Sequence, residues 1–391
     1  MKIFKPITKT IWIISLVSLF TDFASEMLYP VMPVYLKTIG YSVLVIGLLE
    51  GFAEAVAGLG KSYFGRVSDI TGKRLPFVQL GYLLSAVSKP MLAASTQLWW
   101  IFSARFIDRA GKGLRTAPRD ALLSDEANEQ NKASVFGFHR MMDTCGAILG
   151  PFTALLFLYF YPGQYQFLFL LAFVPGMAAV ACTYLLKEKA KKGTLKKTIP
   201  FHHTFLYFKQ ASANYKKLLT GLLLFALFNS SDVFLLLKMK ENGLSDIAVI
   251  GVYIFYNLVF ALFAFPLGKM ADKYGMKTVF IIGLLFFAVT YFGFAFNPTQ
   301  WVFWFLFFSY GLYAAATEGV AKAWISNLVP KDETASAIGL YSGLQSIAAL
   351  FASSIAGFLW FQFASEIVFI TAGCAALLAI SWLLFKFNRK K

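Results

Sequence analysis

The chain has 391 residues, of which 58% are hydrophobic and 14% are charged. Soluble globular proteins are about 45–50% apolar and about 25% charged, so this composition excludes a soluble enzyme. It also excludes intrinsic disorder, which requires low hydrophobicity. The net charge of +16 favours a membrane protein with basic cytoplasmic loops over a nucleic-acid-binding protein, and we predict no nucleic-acid partner.

The apolar residues are grouped into runs that are long enough to cross a bilayer, which takes about 20 residues per helix. Twelve such runs follow one another, and the fourth and fifth carry the most charge. They cover residues 11–36, 43–64, 75–95, 98–124, 133–160, 166–186, 217–238, 246–270, 277–296, 300–328, 334–361 and 366–386. We therefore predict an all-α integral membrane protein with twelve transmembrane helices.

The basic residues between these runs and toward their ends predict the orientation, because Lys and Arg collect in cytoplasmic loops. Most fall in the amino-terminal tail, in alternate connections, in residues 187–216 and at the carboxyl end. The exceptions are Lys37, Lys89, Lys238 and Lys240. This distribution predicts a multi-pass protein of the cell (inner) membrane with both termini in the cytoplasm.

Residues 187–216 form the one long polar connection, and we interpret them as a basic linker that lies on anionic lipid. His202 and His203 in this segment leave a regulatory or metal-binding role as the alternative. The three cysteines lie far apart in apolar runs, so we predict no disulfide, no metal and no cofactor. The first apolar run is too long and too acidic for a cleavable signal peptide.

Two sequence motifs of the first half of the chain recur in the second half. Gly65, Asp69, Gly72 and the basic pair Lys73 and Arg74 recur 203 positions later as Gly268, Asp272, Gly275 and Lys277. A second motif, Ala133-Ser134 with Gly137, recurs as Ala335-Ser336 with Gly339. We therefore predict an amino-terminal six-helix bundle in residues 1–186, the linker in 187–216 and a carboxy-terminal six-helix bundle in 217–391.

Three segments carry a resemblance to a known family. The Gly-x3-Asp-x2-Gly-Lys-Arg loop that begins at Gly65 resembles the signature loop of the major facilitator superfamily. The segment from Arg105 to Gly113 resembles its helix-four motif, and Gly146 to Pro151 resembles the helix-five motif of its antiporters. The resemblance implies two six-helix pseudo-repeats and alternating access to a site near the membrane midplane.

The resemblance also implies that the signature loop and its repeat latch the cytoplasmic side shut. The gating residues are then Gly65, Asp69, Gly72, Lys73, Arg74, Gly268, Asp272 and Gly275. The aspartates are expected to cap a neighbouring helix end or to pair with a basic residue. The alternative is an ordinary basic loop.

The sequence contains no complete nucleotide-binding motif that could supply energy for transport. Gly60-Lys61-Ser62 ends like a phosphate-binding loop, but the required glycine five positions earlier is Ala55. A transporter without a nucleotide site depends on an ion gradient or on exchange. No nucleophile–base pair or metal constellation is present in the sequence either, so we predict that the protein is not an enzyme.

Ionisable residues inside the predicted spans are the candidate functional groups, because charge in a bilayer is unfavourable by about 2.5–3.5 kcal/mol per residue. Arg105, Asp108, Lys112, Arg115 and Arg119 lie on one face of the fourth span. Arg115 and Arg119 are predicted to bind an anionic group of the substrate, since Arg pairs bidentately with carboxylate and phosphate. The alternative is a salt-bridge network with nearby aspartates. The family resemblance implies a role in proton coupling for Arg105.

Carboxyl groups in the first spans are the predicted proton carriers. Asp22 and Glu26 are spaced i, i+4, as are Glu50 and Glu54, and clustered carboxyls can hold a proton near neutral pH. One of Asp22, Glu26 and Glu54 is predicted to carry the proton; the alternatives are a cation site or partners for the arginines. His139 and Asp143 are predicted to relay protons in span five.

The second half contributes fewer polar groups. Glu318, Lys322, Asn229 and Tyr256 are predicted to contact substrate, although Glu318 and Lys322 are also spaced to pair with each other. The predicted function is proton-coupled efflux of a small organic solute by a monomer. The alternatives are uptake or exchange of an anionic nutrient, such as an organic acid or organophosphate, and a non-transporting receptor or lipid scramblase.

Overall fold

The computed structural model describes residues 7–188, 203–296 and 299–387. Every regular element within these ranges is an α-helix, as the composition predicts. Eight of the fifteen helices precede residue 211. They are α1 Lys9–Leu28, α2 Met32–Thr38, α3 Val43–Thr71, α4 Leu75–Ala94, α5 Leu98–Glu126, α6 Lys132–Phe160, α7 Tyr165–Thr183 and α8 His203–Gln210.

The remaining seven helices follow without a long described connection. They are α9 Ala213–Ala226, α10 Val233–Glu241, α11 Asp246–Tyr274, α12 Met276–Ala295, α13 Gln300–Asn327, α14 Thr334–Gln362 and α15 Ser365–Lys386. Each of the twelve predicted runs coincides with one helix or with a pair of helices. Seven segments in the described residues are long and apolar enough to cross a membrane. Twelve spans therefore stays a prediction.

Two predicted runs are interrupted. The first breaks between α1 and α2, where Pro30 and Pro33 remove backbone donors. The seventh breaks between α9 and α10 in the sequence Asn229-Ser-Ser-Asp232, whose short polar side chains compete with the helix for backbone hydrogen bonds. The freed Ser231 amide donates to Ser353 Oγ of α14 at 3.1 Å.

The linker differs from the solvated segment that the sequence predicts. Its described part holds α8, in which Tyr207 is only 2% exposed. The Tyr207 hydroxyl donates to Glu333 Oε2 at 3.1 Å, and the Arg66 guanidinium lies over its ring. His202 lies outside the described residues, and so does the side chain of His203. The end of the linker is also helical, because α9 begins at Ala213.

The helices form two compact units. Unit 1 comprises residues 1–128, 142–209 and 330–343, and unit 2 comprises residues 129–141, 210–329 and 344–391. Each unit therefore includes a short segment from the opposite half of the sequence. Contiguous bundles in residues 1–186 and 217–391 remain a prediction about the transport fold. The core of unit 1 is aliphatic and aromatic around Met32, Tyr35 and Phe169, whereas unit 2 packs mainly aromatic rings around Phe287 and Phe307.

Candidate functional site

The signature loop in unit 1 holds the start of α14. Asp69 Oδ2 accepts hydrogen bonds from the Ser336 amide at 2.7 Å and the Ser336 hydroxyl at 2.9 Å. Asp69 thus occupies the amino-terminal end of α14, where free amides and the helix dipole favour a carboxylate. Gly65 permits close packing, because a Cβ there would collide with the Ala335 carbonyl oxygen and lie 3.1 Å from Ala117 Cβ.

Unit 2 repeats this arrangement with the other members of the two sequence motifs. Asp272 accepts hydrogen bonds from the Ala133 amide at 2.9 Å, the Ser134 amide at 2.7 Å and the Ser134 hydroxyl. A Cβ at Gly268 would collide with the Ala133 carbonyl oxygen. The two repeated motifs are therefore the two sides of one contact, which occurs once in each unit. We call each contact a latch.

The unit 1 latch has an additional cation. Arg74 donates to Asp69 Oδ1 at 2.9 Å and to the Lys331 carbonyl at 2.7 Å, and it also binds Asp125. Gly72 ends α3 with a left-handed φ of 66°, which turns the chain toward Arg74. Lys73 is exposed.

In unit 2, the residue equivalent to Arg74 does not make these contacts with the described residues. Gly275 ends α11 with a φ of 97°, as its equivalent in unit 1 ends α3. Lys277, at the position equivalent to Arg74, makes no ion pair with a described residue of its unit.

The charged face of α5 is buried within unit 1, as its spacing predicts. Arg119 pairs with Asp120 at 2.9 Å and donates to Ser18 Oγ of α1 at 2.9 Å. Arg109 pairs with Glu54 of α3 at 3.1 Å. These contacts match the alternative reading, in which the arginines belong to a salt-bridge network.

Arg115 differs from the other two arginines. Its guanidinium donates to Ser85 Oγ and to the Gly81 carbonyl at 3.4 Å, both on α4, and it lies 4.6 Å from the centre of the Tyr82 ring. Its hydrogen-bond partners are therefore neutral. Arg105 lies 4.0 Å from Asp108, at the limit of an ion pair.

One residue of this cluster escaped the sequence analysis. From the sequence, Lys89 is counted with the basic residues of the side opposite the cytoplasm, yet it lies inside α4 with 3% exposure, and its ammonium contacts Asp108 Oδ1 at 2.8 Å. The signal was present in the sequence, because Lys89 interrupts an apolar run just as the α5 charges do. Lys238, which is counted on the same side from the sequence, is buried in α10 and pairs with Glu366 at 2.7 Å.

The predicted proton carriers do not share one environment. The carboxyl groups of Asp22 on α1 and Asp143 on α6 are within hydrogen-bonding reach of each other. Glu26 lies one helical turn farther along α1 and is half-buried. Glu54 is 53% exposed and is bound to Arg109, so it acts as a partner of an arginine.

In unit 2 the predicted substrate residues fall into two groups. Glu318 pairs with Arg140 Nη2 at 2.7 Å rather than with Lys322, which is buried farther along α13. Asn229 Nδ2 donates to the Tyr313 hydroxyl at 3.0 Å, and the Tyr256 ring stacks on Tyr310 with centroids 5.0 Å apart.

Two further polar residues of unit 2 are relevant to the site. His139 is buried in the first part of α6 and is 2% exposed. Asp232, which the sequence analysis left without a role, accepts a hydrogen bond from the Tyr310 hydroxyl at 2.6 Å.

The duplicated latch and the buried charges agree with a comparison against known families. The Major Facilitator Superfamily profile matches residues 14–255 and 218–391. The chain belongs to the major facilitator superfamily. It is therefore a multi-pass membrane transporter and not an enzyme.

Individual members of the superfamily support this assignment. An MFS-type transporter of Methanocaldococcus jannaschii is 33% identical over 389 residues, covering 97% of this chain and 96% of that protein. Citrate exporter 1 of Aspergillus niger is 25% identical over 199 residues, covering 50% of this chain and 37% of the exporter. The crystal structure of the human organic anion transporter MFSD10 (TETRAN) has a TM-score of 0.83 at 15% identity, covering 96% of this chain and 98% of that chain.

Proposed function

We propose that the protein exports a small organic solute across the cell (inner) membrane in exchange for protons. The observation that carries this proposal is the close packing of α6 on α1, where a Cβ at Gly146 would collide with the Leu19 carbonyl oxygen, because it brings the Asp22 and Asp143 carboxyl groups together. An ionised carboxylate only accepts hydrogen bonds, so two carboxyl groups bond to each other only when one is protonated. The pair is thus a place where one proton can be held and released.

The charges around this pair explain why its proton can be exchanged. The pair faces a cluster in which Glu54 is bound by Arg109, Asp108 by Lys89 and Asp120 by Arg119. Lys112 lies near the pair without a direct ion pair of its own in the described residues. Loss of the proton leaves two carboxylates, and the positive charge of Lys112 offsets one of these two negative charges. We assign proton coupling to Asp22 and Asp143, with Glu26 and Arg105 as neighbours and His139 as a further relay.

The two latches support alternating access. Each holds helix ends together through an aspartate at a helix amino terminus, and these contacts must break for that end of the protein to open. We assign gating to both latches and place the latch end, with both termini and the linker, in the cytoplasm. The protein is proposed to act as a monomer in contact with lipid.

A second candidate is transport of an anionic solute, and Arg115 favours it. Its guanidinium is buried but hydrogen-bonds only to neutral partners, which leaves its positive charge available to a substrate carboxylate or phosphate. Arg119 is already paired with Asp120 and is the weaker candidate. The relative named as a citrate exporter makes organic acids the first anions to try. Glu318, Lys322, Asn229 and Tyr256 remain proposed substrate contacts.

The experiment begins with thermal unfolding of the purified protein in the presence of citrate, zwitterions and lipophilic cations. A ligand that binds the folded state raises the apparent stability, by about 2.7 kcal/mol at a concentration of 100 Kd. If the bound solute is an anion, Arg115→Ala abolishes its effect while Lys37→Ala, at an exposed position, retains it. Stabilisation by citrate that survives Arg115→Ala contradicts the anion site.

The solute found in this way is then tested for flux in liposomes with an imposed pH gradient. Exchange for protons predicts accumulation in liposomes with an acidic interior, whereas co-transport predicts accumulation when the exterior is acidic. Asp22→Asn is expected to abolish accumulation. A flux that is the same with and without the gradient contradicts proton coupling.

A further inference from the structure

Asp232 lies at the break between α9 and α10, in the first long hydrophobic segment of the second half. It precedes α10 at the N-cap position, but its carboxylate caps none of the helix amides. Broken helices at membrane depth commonly carry ion sites, because their freed backbone groups face a cavity or a polar side chain. Capping of α10 therefore does not explain why an acid occupies this position.

Among the described residues of unit 2, Asp232 has no basic partner. Its Oδ1 atom accepts a hydrogen bond from the Tyr310 hydroxyl at 2.6 Å. Within the described part of unit 2, no Lys, Arg or His nitrogen lies within 4.0 Å of its carboxylate. The titratable groups that face it are Tyr256 on α11, Tyr291 on α12, and Tyr310 and Glu318 on α13, while α14 contributes the neutral Ser353.

This environment contrasts with that of three acids in the first half of the chain. Glu54, Asp108 and Asp120 each have a basic side chain within 3.1 Å. An ionised carboxylate in an apolar setting without such a partner is strongly unfavourable, so it takes up a proton or another cation. The described residues of unit 2 do not neutralise the half-buried Asp232 carboxylate, which leaves a proton or another cation from outside as its partner.

The packing of the rings favours a proton over an organic cation. An organic cation would bind to the faces of the tyrosine rings. The Tyr310 ring, however, already stacks on Tyr256 with centroids 5.0 Å apart and on Tyr313 with centroids 5.3 Å apart. A proton needs no cavity, and the Tyr310 hydroxyl can donate to Asp232 both in its ionised and in its protonated state.

We propose that Asp232 is a second proton-binding site of the transport cycle, independent of the Asp22–Asp143 pair, with Tyr310 as its positioning residue. The proposal rests on the proposed proton-coupled function. In the step itself, the carboxylate accepts one proton from water on one side of the membrane and gives it to water on the other. No other bond forms or breaks.

Infrared difference spectroscopy between acidic and alkaline pH tests this site without a substrate. The full-length protein is reconstituted in lipid, and the carbonyl stretch of protonated carboxyl groups is followed in H2O and D2O. Asp232→Asn is expected to remove one component of this band. The component should persist in Asp22→Asn and in the matched control Asp332→Asn, whose side chain is exposed. A spectrum of folded Asp232→Asn identical to that of the wild type overturns the proposal.

Tyr310→Phe keeps the proposal testable if Asp232→Asn does not fold. This change removes only the hydroxyl that contacts the carboxyl group, so the same component should move to higher frequency. An unmoved component overturns the proposal. So does loss of the component on adding sodium at constant pH, because the ligand is then a metal cation.

Flux measurements separate this site from the proposed function. If wild-type flux ignores the pH gradient, proton coupling fails whatever the spectra show. If wild-type flux responds and Asp232→Asn responds equally, the second proton site fails and the proposed function stands.

Discussion

At the scale of single residues, the buried ion pair between Lys89 and Asp108 explains how a helix with as many charges as α5 can lie in a membrane protein. The two groups are 2.8 Å apart, and Lys89 is 3% exposed. Arg105 and Arg109 lie 4.0 Å from the same aspartate. Removing Lys89 alone leaves the buried Asp108 carboxylate with only these two longer contacts, which is more harmful than removing both members of the short pair.

We therefore expect Lys89→Met to lower the free energy of unfolding by about 3 kcal/mol. The double variant Lys89→Met with Asp108→Leu should recover most of this loss, because it removes both charges. Lys37→Met, at an exposed position, should change stability by less than about 0.5 kcal/mol. Thermal unfolding in one detergent measures all three. A double variant less stable than Lys89→Met shows that Asp108 has another essential partner.

At the scale of helices, the latches depend on glycines that bring two backbones together. Gly65 contacts the start of α14, and Gly268 contacts the start of α6. A methyl group at either position collides with a backbone carbonyl oxygen, which cannot move as a side chain can. Such overpacking destabilises by about 1–3 kcal/mol.

Gly65→Ala and Gly268→Ala should accordingly lower the unfolding temperature in the same direction. Gly251→Ala is the matched control, because its Cβ would lie 3.8 Å from Trp304, an ordinary contact. In a helix that change favours stability by up to about 1 kcal/mol. If Gly251→Ala is as harmful as Gly65→Ala, the loss does not come from the latch.

At the scale of the whole molecule, the two latches are unequal. Asp69 and Asp272 hold their helix ends in the same way, but only Asp69 is also bound by an arginine. Arg74 joins three segments of unit 1 through Asp69, Asp125 and the Lys331 carbonyl. If the latches gate transport as proposed, unit 1 is therefore expected to contribute more to closure than unit 2.

Cysteine labelling in membranes measures this difference. Ser62, which is buried and donates to the Gly339 carbonyl, is replaced by cysteine after removal of Cys145, Cys182 and Cys374. Arg74→Ala should accelerate its reaction with a water-soluble maleimide, because the latch opens more often. Lys277→Ala should have little effect. Equal acceleration by both changes contradicts the inequality of the latches.

The class of the protein and the residues of its latches could be predicted from the amino-acid sequence. Hydrophobic runs of membrane length leave few alternatives to helices, because every backbone group in lipid must find its partner within the chain. Gly65 and Asp69 recur as Gly268 and Asp272, and this repeat can be recognised in the sequence. It exists because the same contact in each unit requires the same residue types.

Which charged side chains contact each other could be read only from the folded structure. Helical spacing places Arg115 and Arg119 on one face of α5, but it cannot show that Arg119 binds Asp120 while Arg115 binds neutral groups of α4. The same spacing rule allows Glu318 to pair with Lys322. In the structure, however, the partner of Glu318 is Arg140 from α6. Local spacing fixes the face on which a side chain lies. The partner across that face comes from a distant part of the chain, and only the packing of helices selects it.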